Sequence, residues 1–318
     1  MDDASPHPTA VMSADGAAAA FLGMERLSSG ARRWMSANVG YLRPSAADLP
    51  VTPRAKACME IGLLNRLWSR VRPDDPELAA VRDAVAEIWR DPDFPEQFAD
   101  NPAYTRGFAL IYSALAPAGL TGSTHPATLA RLAPDGHVDI AKKSPSGRLE
   151  LRYYAELAGL DHDVEPYDRL YADSILANLT DVLPMDIETA YRITHTVFHI
   201  TDFGVRDMGV PPEELMRIRD VAEQLTHHFI AIEYWDLIAE FILTQSCLGL
   251  DPRHTASGQA AIDALLNVQK PDGAIPARFA AQRPPDTATP VELFRKAYHT
   301  TLVTALASMI PPSTACGG

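Results

Sequence analysis

The densest run of side chains able to move a proton or hold an ion is Tyr191-Arg-Ile-Thr-His195-Thr-Val-Phe-His199-Ile-Thr-Asp202-Phe-Gly204. Spacings of four, four and three place Tyr191, His195, His199 and Asp202 along one stripe of a helix. Histidines at i and i+4 can share a metal ion, or can act as an acid–base pair when a carboxylate orients one of them. They can equally be core residues bonded to backbone and hydroxyl groups. A metal site would need at least one further ligand, and the chain has no HExxH motif. The expectation is therefore a cavity wall with a proton-transfer role, and no metal is assigned.

A second stripe is Glu233-Tyr-Trp-Asp236-Leu-Ile-Ala-Glu240, with carboxylates at i, i+3 and i+7 inside the apolar run Phe229–Leu250. Asp236, flanked by Tyr234 and Trp235, is the favoured acid. A buried carboxylate has a raised pKa and can serve as general acid or base, or stabilise a developing cation. The alternative is that the three acids form the wet edge of an amphipathic helix. The last helix adds Tyr298-His299-Thr300-Thr301 ahead of the apolar Leu302–Ile310. The candidate catalytic set is thus Asp236, His195, Asp202, His199 and His299, with Tyr191, Glu233, Trp235 and Tyr298 as substrate contacts. Ser257-Gly-Gln259 makes no nucleophile elbow, and neither a phosphate loop nor a dinucleotide fingerprint occurs, so no cofactor is expected.

Positioning these groups falls to helices. Apolar residues recur at helical spacing while strand-type alternation is nearly absent, which predicts an all-α fold. Twelve helices are expected, near Ala17–Ala37, Arg54–Val71, Pro76–Arg90, Pro102–Ala116, Pro126–Leu132, Gly147–Leu160, Tyr167–Leu179, Ile187–Thr201, Pro212–His228, Ala231–Leu248, Ser257–Gln269 and Pro290–Met309. Pro76, Pro126, Pro212 and Pro290 suit first turns, where a missing N–H costs little. Gly159 and Gly249 suit left-handed helix ends, and Asp-Pro at 91–92 and 251–252 breaks the chain. An even count of helices joined by short loops permits six hairpins in an α/α toroid. One helical domain over 17–310 is expected, with a disordered tail over 1–16 and a short C-terminal tail over 311–318.

The chain of 318 residues is 47% hydrophobic and 22% charged, a globular composition able to bury a sizeable core. Its net charge of −13 repels phosphate backbones and anionic headgroups, so neither nucleic acid nor a membrane surface is expected as partner. Cys58, Cys247 and Cys316 are too few and too scattered for a disulfide framework. The N-terminus lacks a basic signal region, and Ala17–Met24 is far too short to span a bilayer, so a cytoplasmic location is the simplest expectation.

Leu129-Ala-Arg-Leu-Ala-Pro-Asp-Gly-His-Val138 echoes Leu265-Leu-Asn-Val-Gln-Lys-Pro-Asp-Gly-Ala-Ile275, each followed by a loop and a tyrosine-bearing helix, and Leu179–Pro184 followed by Tyr191 is a looser copy. Repeated helix–turn–helix units build closed or stacked helical arrays, although Pro-Asp-Gly is also simply good turn chemistry. The Leu266–Ile275 segment resembles the Gln-x-x-Asp-Gly turns of the toroid superfamily that includes class II terpene cyclases and protein prenyltransferase β-subunits. The tryptophan usual after the glycine is Ala274 here, and the Asp-x-Asp-Asp acid motif is missing, so terpene protonation is not carried over.

Thr194–Gly204, Gln269–Pro276 and Tyr298–Thr301 together resemble a bacterial all-α family encoded with specialised-metabolite genes, over roughly the second half of the chain. In size and helical character the chain is similar to the larger subunit of aziridine-forming cyclases of azinomycin-type pathways, which work with a small partner subunit. That resemblance implies intramolecular displacement, with Asp202 or Asp236 taking a proton from an amine and His195 or His299 assisting the departing anion. The expectation is a cofactor-free acid–base enzyme, a cyclase acting on a small-molecule substrate. Its rival is a noncatalytic helical scaffold for a partner subunit, which predicts a broad exposed apolar groove and no closed pocket.

Overall fold

The computed structural model describes residues 14–46, 49–98, 102–120, 124–132, 137–138, 144–278 and 288–315. The fold is all-α. Its helices are α1 (Ala14–Asn38), α2 (Val51–Val71), α3 (Leu78–Arg90), α4 (Pro102–Ala114), α5 (Thr124–Leu132), α6 (Pro145–Ala158), α7 (Tyr167–Ala172), α8 (Ile187–Thr201), α9 (Pro212–Ala231), α10 (Trp235–Cys247), α11 (Ala256–Val268) and α12 (Pro290–Met309). The only strand pairing among the described residues is a two-residue parallel contact, β1 (His137–Val138) against β2 (Asp161–His162).

Local chemistry sets the ends. Ser144, Asp186, Thr255 and Thr289 each accept a backbone N–H from the first turn of α6, α8, α11 and α12, and Thr289 completes a capping box with Glu292. Proline opens α6, α9 and α12. Gly159 and Gly249 adopt the expected left-handed conformation, with φ of 68° and 76°. Several boundaries differ from the sequence reading by two residues or more. Pro76 lies in a turn before α3, α7 stops at Ala172 rather than near Leu179, and α10 starts at Trp235 because Glu233 breaks the run with φ 56°.

Packing follows chain order in alternation. Helix α2 touches α4, α4 touches α6, then α6 α8, α8 α10, α10 α12, and α12 returns to α2, so the six even-numbered helices form a closed cycle of neighbours. Of the odd-numbered helices, α5 packs on α4 and α7 on α6, α9 lies on α10 and α11, and α1 lies on α11, α12 and α3. Helix α1 begins at Ala14, three residues ahead of the expected start, and the rest of the expected N-terminal tail lies outside the described residues. In the C-terminal segment Ser313 is buried and its N–H bonds the Ser246 carbonyl; residues 316–318, with Cys316, lie outside the described residues. Among the described residues no helix is long and apolar enough to cross a membrane.

The Gln269–Gly273 turn shows what that motif does here. The Gln269 side chain donates to the Leu27 carbonyl at 3.2 Å, and Gly273, at φ 101°, sits so close to Gly30 of α1 that a Cβ would lie 2.1 Å from its carbonyl oxygen. The turn is a seat for the first helix. The Pro134-Asp135-Gly136 copy lies outside the described residues.

Candidate functional site

A cavity of about 480 Å³ is lined by side chains from all six helices of the cycle. Helix α2 contributes Lys56, Glu60 and Leu63; α4, Phe108 and Ile111; and α6, Glu150 and Tyr154. Helix α8 supplies Tyr191, His195 and His199; α10, Glu240 and Leu243; and α12, His299, Leu302 and Leu306. The volume suits a small organic molecule. Both halves of the chain build this wall.

Helices α8 and α10 run in the same direction, because Tyr191 bonds Asp236 and Thr194 bonds Glu240, the partners advancing together along both helices. On α2, α8, α10 and α12 the ionisable lining residue comes first and an apolar one follows about a turn later: Glu60 then Leu63, His195 then Phe198, Glu240 then Leu243, His299 then Leu302. On the parallel pair this ordering gives the cavity a polar tier and an apolar floor, to which Phe203 and Phe198 add stacked rings with centroids 5.2 Å apart.

In the polar tier acids and bases alternate. Glu60 Oε1 lies 3.5 Å from Lys56 Nζ and 3.3 Å from His299 Nδ1, the latter close enough for an ion pair but misaligned for a hydrogen bond, and Tyr298 also acts on this carboxylate. The opposite nitrogen of His299 is 4.0 Å from Asp236 Oδ2, the oxygen that accepts the Tyr191 hydroxyl. One turn further along α10, Glu240 is buried, lies 3.9 Å from His195 Nε2 and accepts the Thr194 hydroxyl.

These contacts set the protonation states. Burial disfavours a charged His299, but the Glu60 charge outweighs it and holds the pKa up at about 9. Burial likewise disfavours the Glu60 carboxylate, and the charge of His299 overrides it, bringing the pKa down to about 2. His195 is raised above its ordinary value because Glu240 more than offsets desolvation. His199 is pushed down to about 3, first by burial and then by the neighbouring His195, and stays neutral. Burial raises Asp236, against the hydrogen bond from Tyr191 and the charge of His299. Tyr191 is raised by burial and by Asp236, so it keeps its proton and donates it. The tier thus holds a charged imidazolium beside a carboxylate with a raised pKa, the arrangement that supports paired acid and base roles.

Of the residues singled out from sequence, Tyr191, His195, His199 and His299 line the cavity, and Asp236 stands at its edge in contact with two of them. Tyr298 is packed among aromatics beside Phe294 rather than on the lining. Trp235 is buried away from the lining, and Glu233 is exposed in the turn between α9 and α10.

Asp202 does not continue the stripe. The chain leaves α8 through three successive left-handed residues, Asp202, Phe203 and Gly204, with φ of 48°, 53° and 87°. This swings the Asp202 carboxylate away from the cavity, to Arg70 Nη1 at 3.2 Å and the Tyr153 hydroxyl at 2.9 Å. A bulky residue such as Phe203 in that region costs on the order of 1–3 kcal/mol. Arg70 offsets the cost by donating also to the carbonyls of Asp202 and Phe203, at 3.1 and 3.2 Å.

Sequence reasoning missed Lys56, Glu60, Glu150 and Tyr154, and considered Glu240 only as part of a stripe. The signal was present as a shared register: a polar residue followed by apolar ones three and seven positions on, as at Glu240 and Leu243 or His299, Leu302 and Leu306. Among the described residues no group of three or more His, Cys, Asp or Glu side chains is placed to hold a metal ion.

Fold and cavity together define an all-α protein whose helices line a pocket of small-molecule size with a tier of acidic and basic side chains. The chain belongs to the family described as domain of unknown function (DUF6895), whose model matches residues 28–309. That span takes in every helix lining the cavity. No curated protein and no solved structure matches the chain.

Proposed function

We propose that this protein is an acid–base enzyme that acts on a small molecule held in the central cavity, and that its closed cycle of helices is the inner wall of an α/α toroid. The observation that carries the reading is the juxtaposition of a charged His299, Asp236 and the Tyr191 hydroxyl at the rim of an otherwise apolar pocket. Ring closure by intramolecular displacement, a step of specialised metabolism, is the reaction class proposed. A nucleophilic atom of the substrate forms a bond to a carbon while the bond from that carbon to the leaving group breaks. The proton released by the nucleophile passes to Asp236 or His195, and the electron pair departs with the leaving group toward His299. A pocket with walls from six helices can hold a substrate in the folded conformation such a step needs. A concave pocket lined from all six helices of the cycle also supports this reading over that of a scaffold, which calls for a broad apolar groove.

The test is incubation of the purified chain with a small-molecule extract of the source organism, followed by mass spectrometry. One metabolite is expected to be consumed and one product to appear. Asp236→Asn and His195→Ala should each slow that conversion by about 10²-fold or more, with thermal stability nearly unchanged. Absence of any conversion, or conversion that survives both substitutions, overturns the assignment.

A further inference from the structure

The structure assigns Phe203 as the residue that limits the length of the apolar end of the ligand, with Arg70, Asp202 and Tyr153 as positioning residues that hold it in place. The inference rests on the central cavity being the ligand site and goes beyond the acid–base tier to the opposite end of the pocket. Phe203 lines the cavity, is nearly fully buried, and stacks on Phe198. Its backbone is left-handed, a conformation that a phenylalanine does not hold unaided.

What holds it comes from three different helices. Arg70 reaches from α2 to both carbonyls and to the Asp202 carboxylate; Tyr153 reaches from α6 to the other Asp202 oxygen; and α8 contributes Phe198, whose carbonyl accepts the Phe203 N–H. The same clamp fixes His199, because the Tyr153 ring stacks on its imidazole with centroids 5.0 Å apart. The rest of the floor is aliphatic, from Leu63, Leu243, Leu302 and Leu306. An apolar wall braced in a strained conformation is a fixed stop, not a surface that yields to a longer molecule. The ligand class is therefore a small amphiphile: a polar reacting end in the tier of His195, Asp236 and His299, and a hydrocarbon or aryl end seated against Phe203.

The experiment is calorimetric titration of the intact protein with a homologous series of straight-chain primary alcohols, which carry a polar end and no leaving group. Affinity should rise about fourfold per added methylene while each new carbon is buried, and then stop rising once the chain meets the floor. Phe203→Ala, and Phe203→Gly, whose glycine suits the left-handed backbone and so protects folding, should move that break to longer alcohols and leave the shortest ones unchanged. Arg70→Gln should move it the same way while preserving the wild-type ring. A break that stays at the wild-type length in all folded variants, or a wild-type protein that binds no member of the series, overturns the proposal. Failure of the catalytic reading looks different: alcohol binding would keep its length break while Asp236→Asn left turnover intact.

Discussion

Replacing Glu60 by glutamine keeps the shape of the side chain on α2 and removes the charge that faces His299. In the intact protein the imidazole is held up at about 9 against an ordinary 6.5, even though burial pulls the other way. The difference, 9 − 6.5 = 2.5 units, corresponds to about 3 kcal/mol in favour of the charged ring. In Glu60→Gln the ring keeps its desolvation and loses its nearest carboxylate, so it should titrate well below 9, with only the more weakly placed Glu240 and Asp236 left to favour the charged form. The readout is the pH dependence of the histidine Cε1–Hε1 resonances, with His299 assigned through a His299→Gln spectrum.

Stability should follow with a definite sign. The raised His299 pKa contributes stability that is fully present below 6.5 and is lost as pH rises through about 9. The depressed Glu60 pKa contributes stability that is present above 4.5 and is lost as pH falls through about 2. These are two views of one pair and are counted once. Urea titrations should therefore show the wild-type protein losing up to about 3 kcal/mol between neutral and alkaline pH, and Glu60→Gln losing much less over the same interval. A His299 that still titrates near 9 in Glu60→Gln would refute the assignment of its charge to this contact.

Four further outcomes are expected. Thr194→Val removes the hydroxyl bound to the buried Glu240 and should cost about 1–3 kcal/mol in urea unfolding. Glu233→Gly relieves a left-handed backbone at an exposed turn and should stabilise by about 0.5–1 kcal/mol in the same assay. Gly273→Ala drives a Cβ into the Gly30 carbonyl at positive φ and should cost at least about 2 kcal/mol, read as a lowered melting temperature. The Cys58 thiol, pushed up to about 12 chiefly by burial, should react with a thiol reagent only on unfolding, so its labelling rate should track denaturant concentration.

The helices were legible because their periodicity, prolines and capping residues are local, and each of the twelve expected segments overlaps an observed helix. The candidate site was legible where polar residues interrupt strongly apolar helices, as at His195, His199, Asp236 and His299. It was illegible where a lone acid looks like an ordinary solvated one. Glu60 sits at i+4 from Lys56 and reads as a surface pair, and Glu150 lies between leucines on an amphipathic helix; only the closing of the cycle turns both inward. Asp202 was misplaced because the stripe argument assumes that the helix continues through it, whereas the chain turns left-handed at that residue. Glu233 was misplaced for the same reason: a single positive φ separates α9 from α10. Aspartate visits the left-handed region more readily than most residues, but nothing in residue type announces it at phenylalanine or glutamate.

The seating of the Gln269–Gly273 turn on α1 joins residues 242 apart in the chain, and α12, which carries His299, docks against both α1 and α2. The wall is consequently complete only when the last helix arrives. A chain emerging from the ribosome must keep the faces of α1 and α2 that α12 covers unsatisfied until α12 is made, which puts the most non-local step of closing the cycle after its other five helices have been synthesised. Assembly of the polar tier and topological closure are then a single event, since a chain cut before Pro290 lacks both the helix that shuts the cycle and the imidazole that faces Glu60.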